Sequence, residues 1–166
     1  MSLLIPTVSV DNLTDIDIKL LKHFKIESIF LDVDNTIAAH GSQEPFEGTI
    51  EWTHKIREQN INIVIISNNF KKRVAPLAKK FDLPFIYLAF KPLPFGFYRA
   101  KKLIKSSRAN IMVIGDQIFT DVLGANLFHM NSILLSPRTE RETLSIFIRR
   151  KLEKRIREKI QNNKNK

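Results

Sequence analysis

The chain has 166 residues, 43% of them hydrophobic and 27% charged, with no cysteine and a formal net charge of +10. That length and balance fit one ordinary globular domain able to bury a core without covalent staples, and they exclude disulfide scaffolds and thiolate metal sites. The charge is uneven: residues 1–137 hold 16 Lys and Arg against 13 Asp and Glu, whereas residues 138–166 hold 11 against 4, so the basic excess belongs to a tail.

No apolar run reaches bilayer length, and MSLLIPTVSV has neither a basic start nor a small-residue cleavage site, which predicts a cytoplasmic protein without a transmembrane segment. Residues 1–27 place Leu13, Ile16, Leu20, Leu21 and Phe24 at helical spacing, predicting a helix capped by Asn12 or Thr14 on the flank of a sheet. His23 has no partner there at a ligand spacing and reads as a surface histidine. A branched and aromatic run, Ile29, Phe30, Leu31 and Val33, predicts a buried strand that carries Asp32 and Asp34 at its end, followed by Asn35 and Thr36. A loop over 40–48, broken by Gly41, Pro45 and Gly48, leads to a helix over 50–59. The second buried strand, 61–66, ends in Ser67, Asn68 and Asn69, and a helix over 70–81 follows, bent or restarted at Pro76. A third strand over 85–89 precedes Lys91, and a helix spans about 97–105. The fourth strand, 111–114, delivers Gly115, Asp116, Gln117, Thr120 and Asp121; a short helix over 122–126 and a fifth strand over 132–135 complete the alternation. Strand and helix alternate throughout, which predicts an α/β doubly wound, mainly parallel five-stranded sheet with right-handed crossovers.

Four strand ends carry polar chemistry, and in such sheets ligands gather outside the carboxyl ends of the strands. Period two puts Asp32 and Asp34 on one side of the first strand, where two negative charges repel unless something such as a divalent cation neutralises them. The alternative is a plain turn, in which Asp and Asn bond their own backbone. Acids, a hydroxyl, a lysine and further acids answer the needs of phosphoryl transfer: a nucleophile, a cation, and donors around the equatorial oxygens.

These segments resemble the haloacid dehalogenase (HAD) superfamily of phosphohydrolases over roughly residues 26–135, with DVDNT like its first motif, Ser67 its second, Lys91 its third and GDQIFTD its fourth. SNN after the second strand, KP after the third and GDQIFTDVLGAN after the fourth further resemble the YqeG family, of the superfamily's type IIIA, whose relatives include phosphatidylglycerophosphate phosphatases. The resemblance implies a Rossmann-like fold without a cap domain and a Mg2+-dependent phosphatase. It makes Asp32 the nucleophile and a magnesium ligand, and Asp34 the acid and then the base, with its backbone carbonyl on the metal. It makes Asp116 the other carboxylate on magnesium. Ser67 and Lys91 are implied as catalytic groups that hold the phosphate, with Asn68 contacting it through a backbone donor. Thr36 and Asp121 would surround and orient the site, Thr36 having the alternative of capping a following helix.

The spacings from Asp32 to Ser67 and from Ser67 to Lys91 each leave room for one helix and a loop. An open site of that kind suits a phosphate displayed on something bulky. The resemblance makes a phosphatidylglycerophosphate-like lipid the leading substrate. The alternatives are protein or nucleic-acid phosphomonoesters, and a non-catalytic module that docks on membranes or ribosomes. A receiver-type signalling domain shares acids, a hydroxyl and a lysine but needs no second acid at Asp34. In the tail, Leu144, Ile148, Leu152, Ile156 and Ile160 recur every fourth residue among Arg149, Arg150, Lys151, Lys154, Arg155, Arg157 and Lys159, predicting a basic amphipathic helix over 138–160. Its stripe would pack on the 1–137 domain or lie on an anionic membrane as a peripheral contact. Nucleic acid is the less favoured partner, because no recognised module and no aromatics beyond Phe147 accompany the charge. Residues 161–166 read as a disordered end.

Overall fold

The computed structural model describes residues 3–138 together with 153, 154, 156–158 and 160. Six parallel strands form one sheet: β1 (Val8–Val10), β2 (Ser28–Leu31), β3 (Asn62–Ile66), β4 (Phe85–Ile86), β5 (Ile111–Gly115) and β6 (Asn131–Leu135), in the order β1-β6-β5-β2-β3-β4. The helices are α1 (Ile18–His23), α2 (Thr49–Arg57), α3 (Lys71–Phe81), α4 (Pro94–Lys101) and α5 (Leu123–Leu127). The sheet therefore has one strand more than the five expected. The extra one, Val8–Val10, pairs with Ile133–Leu135 just before the expected helix cap at Asn12 or Thr14, where no strand is expected. Only three residues long, it is too short to show its period against the helical spacing of Leu13, Ile16 and Leu20. That spacing is in turn divided between a 3-10 turn, Leu13–Asp15, and α1, whose cap is Asp17, accepting from the Leu20 amide at 2.7 Å.

Alternation along the strands divides the core. Ile29, Leu31, Ile63, Ile65, Met112 and Ile114 pack with Leu21, Trp52, Ile56, Val74, Leu77 and Phe81 on one face. Phe30, Val64, Ile66 and Val113 pack with Phe97, Ala100 and Ala125 on the other. The chain winds outward from β2 through β3 to β4, then returns to the opposite side of β2 for β5 and β6. That reversal, between β2 and β5, is where an open α/β sheet leaves a crevice. Among the described residues nothing inserted between these strands is large enough to form a cap. The longest excursion before α2 is a short flap in which Ala38 bridges both Asp34 and Pro45.

Helix α3 runs unbroken through Pro76. Pro76 lies on its exposed face, so water serves the carbonyl that loses its amide partner and no restart is needed. The turn before α5 is a π-helical one, Ile118–Val122, a geometry that re-aims side chains at ligand sites. In the tail, Glu153, Lys154, Ile156, Arg157, Glu158 and Ile160 are helical. Ile156 and Ile160 pack against Ile118, Val122 and Leu134. Arg138, expected to open the 138–160 helix, is instead in an irregular segment and donates to Asn12 Oδ1 at 2.9 Å; positions 139–152, 155 and 159 and the 161–166 end lie outside the described residues.

Candidate active site

Strand β2 ends at Leu31, but the Asp32 amide still donates to the Ile114 carbonyl of β5 at 2.9 Å, so Asp32 is held rigidly at the crevice. The chain then coils: Asn35 takes a left-handed conformation at φ +55°, and the amides of Thr36, Ile37 and Ala38 converge on the Val33 carbonyl at 3.2, 3.0 and 3.3 Å. Lys91, expected near this point from β4, reaches into it. Its ammonium lies 2.6 Å from Asp32 Oδ1 and 2.6 Å from Asp121 Oδ1, and all three side chains are buried. The Gln117 amide donates to the other oxygen of Asp121 at 3.2 Å. Gly115 makes this possible, since a Cβ at that position would stand 2.2 Å from Asp121 Oδ2. Asp116, fully buried at the end of β5, completes the group: one oxygen each of Asp32, Asp116 and Asp121 lie within 4.8 Å of one another.

Burial lowers the proton affinity of Lys91, but Asp121 and Asp32 outweigh it, so the ammonium is held charged throughout any working range of pH. Burial raises the Asp32 carboxyl well above the ordinary range; Lys91 opposes this, while Asp121, Asp116 and Asp34 add to it. Three buried carboxylates converging on one crevice form an all-oxygen donor set, which fits a hard divalent cation.

The second acid, near enough to Asp32 to raise its carboxyl, has protein partners of its own. Its Oδ1 meets Arg73 Nη2 at 2.8 Å, its Oδ2 accepts from the Asn69 side chain, and His40 Nδ1 stands 3.7 Å away. The two aspartates are thus each matched by a protein cation, Lys91 and Arg73, as well as any metal. Ser67 is buried, and its hydroxyl oxygen accepts from the Asn69 amide and side chain, both at 3.2 Å. The Asn68 side chain is committed elsewhere: it donates to the Lys91 carbonyl at 3.1 Å and accepts from the Lys91 amide at 2.7 Å, leaving only its own backbone amide for a phosphate. It acts as a brace between the β3 and β4 loops. Thr36 caps no helix; its hydroxyl is buried without a hydrogen-bond partner.

Arg73, Glu153 and Arg157 escape a reading of the sequence, whereas Asn69 stands in the SNN run after the second strand. Arg73 and Asn69 touch Asp34, and nothing distinguishes Arg73 from Lys71 and Lys72 beside it. Glu153, also buried, accepts from the amides of Ile118 and Phe119 at 2.8 and 3.2 Å, and Arg157 donates to the Asp116 carbonyl. The tail helix therefore grips the loop that carries Asp116.

The family described as haloacid dehalogenase-like hydrolase matches residues 7–129. The chain belongs to that family. It is 33% identical over 152 residues to the "Probable phosphatase YqeG" of Bacillus subtilis (strain 168), covering 92% of this chain and 88% of that one. Its fold is similar to that of an uncharacterized protein from Listeria monocytogenes serotype 4b, at a TM-score of 0.57 and 12% identity over 72% of this chain and 86% of that one. A hydrolase of the haloacid dehalogenase-like family from Brucella suis 1330 is similar at 0.53 and 13% identity, over 75% and 88%. At those identities the solved structures speak for the fold, and the sequence relative for the family within it.

Proposed function

We propose that this haloacid dehalogenase-type phosphatase cleaves phosphomonoesters through a phosphoaspartate on Asp32, with Mg2+ as its metal and a phosphatidylglycerophosphate-like lipid as the leading substrate. The observation that carries this reading is the position of Asp32: anchored on the strand ladder, held by Lys91 through Oδ1, and within reach of Asp116. Its Oδ2 is the oxygen left to form a bond to phosphorus as the bond to the leaving oxygen breaks. Asp34 supplies the proton to that leaving oxygen. In the second step a water attacks phosphorus, Asp34 takes its proton, and the Asp32 carboxylate departs, giving inorganic phosphate. Ser67 and Lys91 hold the phosphoryl oxygens, with the Asn68 amide beside them.

The metal would be held by Asp32, Asp116 and the Asp34 backbone carbonyl, and when bound it supplies neutralising charge to the phosphoryl group. Asp121, already shared between Lys91 and the Gln117 amide, serves to orient Lys91. Paired with Arg73, Asp34 is set for the base step, and to act as the acid its carboxyl must turn from Arg73 toward the leaving oxygen. The absence of an inserted cap among the described residues supports a bulky substrate, and the resemblance to the YqeG family directs the choice to a lipid.

Replacing Asp32 by Asn is expected to reduce Mg2+-dependent hydrolysis of a soluble aryl phosphate by about a thousandfold or more, with circular dichroism unchanged. Undiminished turnover in that variant overturns the mechanism. Assays on phosphatidylglycerophosphate vesicles, 5′-phosphorylated oligonucleotides and phosphopeptides then decide the substrate class.

A further inference from the structure

The loops that carry Ser67 and Lys91 also present large apolar side chains to solvent. Phe70 is 66% exposed, Phe90 55%, Leu93 53% and Phe95 61%. The loops are stitched together: the Leu88 amide donates to the Asn69 carbonyl at 2.9 Å, the Ala89 amide to the Ser67 carbonyl at 3.0 Å, and the Leu93 amide to the Phe90 carbonyl at 2.8 Å. With the Asn68 brace on Lys91, these bonds make a single apolar rim on one side of the catalytic mouth.

Two rim positions are helix N-caps, Phe70 of α3 and Leu93 of α4, and neither makes a side-chain capping bond. Ser, Thr, Asn or Asp there would satisfy an orphan amide. An apolar residue instead forgoes that bond and exposes hydrocarbon. Repeating this on two helices, one on each face of the sheet and both starting beside one site, is the kind of local-rule violation that marks a contact surface.

The surroundings are strongly cationic. Residues 67–106 hold ten Lys and Arg against Asp82 alone, whereas residues 1–66 hold five against ten acids. Lys71 and Lys72, in the first turn of α3, are exposed, as is Arg99, whose guanidinium donates to the Tyr87 and Leu88 carbonyls. An apolar crest with a cationic collar matches a surface that is anionic outside and apolar within. Stacking on nucleic-acid bases would use the phenyl rings but leave Leu93 without purpose. The tail is the weaker candidate for lipid insertion, since Ile156 and Ile160 of its stripe are turned onto the domain.

We infer that Phe70, Phe90, Leu93 and Phe95 seat the mouth on an anionic lipid bilayer, with the phenyl groups among the upper acyl chains and Lys71 and Lys72 on the head groups. This deepens the phosphatase reading by naming the surface from which the same mouth takes its phosphate. It rests on that reading only for the hydrolysis of the docked lipid, not for the docking itself.

The test uses the full chain, sedimented with vesicles of equimolar phosphatidylglycerol and phosphatidylcholine, with single-stranded RNA in a parallel binding assay. The wild type is expected to sediment with the vesicles. The Phe70→Ser/Leu93→Ser variant, which gains two capping hydroxyls, is expected to bind them about tenfold more weakly. Its melting temperature should be equal or higher and its aryl-phosphatase activity unchanged. Phe95→Trp is expected to shift its emission to the blue on vesicle addition, against a constant signal from buried Trp52. Wild-type protein that does not sediment, a double variant that binds vesicles like the wild type, an unshifted Trp, or a loss of RNA binding in place of vesicle binding overturns the inference. Rim-dependent docking without aryl-phosphate turnover leaves it standing and defeats the catalytic reading instead.

Discussion

Lys91 shares one ammonium between Asp32 and Asp121 in a setting closed to water. Removing one member of a buried charge set costs about 3–5 kcal/mol, because the partners are left buried and uncompensated. Lys91→Ala is therefore expected to lower unfolding free energy in urea by that amount in EDTA, and Mg2+ should recover part of the loss by taking over the carboxylates. Arg73 acts one layer away, fixing the direction of Asp34. Since misplacement of a reacting group by about 1 Å costs about a hundredfold in rate, Arg73→Ala is expected to cut kcat by about tenfold to a hundredfold with little change in KM, read in steady-state aryl-phosphate assays. Lys91 was legible in the sequence because a strand end precedes it. Arg73 was not, because a helix places three consecutive basic residues on three different bearings and only the fold says which bearing faces Asp34.

At the scale of elements, the buried strands of the core and the helices between them announced themselves by branched runs and helical spacing, with ends shifted by a few residues. What the patterns missed was short or remote: β1, whose three residues gain meaning only beside β6, and the grip of the tail helix on the turn after β5. Glu153 is the centre of that grip. Glu153→Ala leaves the Ile118 and Phe119 amides without their acceptor, which is expected to cost about 2–3 kcal/mol in urea unfolding and to weaken Mg2+ binding through the Asp116 loop, read by thermal shift against Mg2+ concentration. Burial raises the Glu153 carboxyl above its ordinary 4.5, in opposition to Arg157 and the two amides. A raised carboxyl contributes its stability below that ordinary value and loses it as pH rises through the folded value. Glu153→Gln, which keeps an acceptor and cannot ionise, is thus expected to gain on the wild type as pH increases over that window.

Across the whole molecule, charge is segregated along the chain and so across the fold. The first 66 residues are acidic on balance, while residues 67–106, which supply α3, the β4 loop and α4, are almost wholly basic. A count taken over residues 1–137 averages the two and hides the cationic half beside the mouth. That field should draw anionic esters toward the site, so kcat/KM for aryl phosphate is expected to fall several-fold between low and physiological ionic strength, with kcat held. The same ionic-strength series on vesicle binding should fall in parallel. No helix among the described residues is long and apolar enough to cross a membrane.

The sequence alone determined the alternation of strand and helix and the residue types at the strand ends, because apolar periodicity is local and strand ends open onto one edge of a parallel sheet. It also determined the family, through four short motifs whose order and spacing are readable without coordinates. Only the tertiary structure decided which charges meet. Lys91 lies between Asp32 and Asp121, Arg73 lies on Asp34, and Glu153 accepts from the turn that follows Asp116. Such pairings depend on side-chain direction across elements tens of residues apart, and no local pattern encodes that direction.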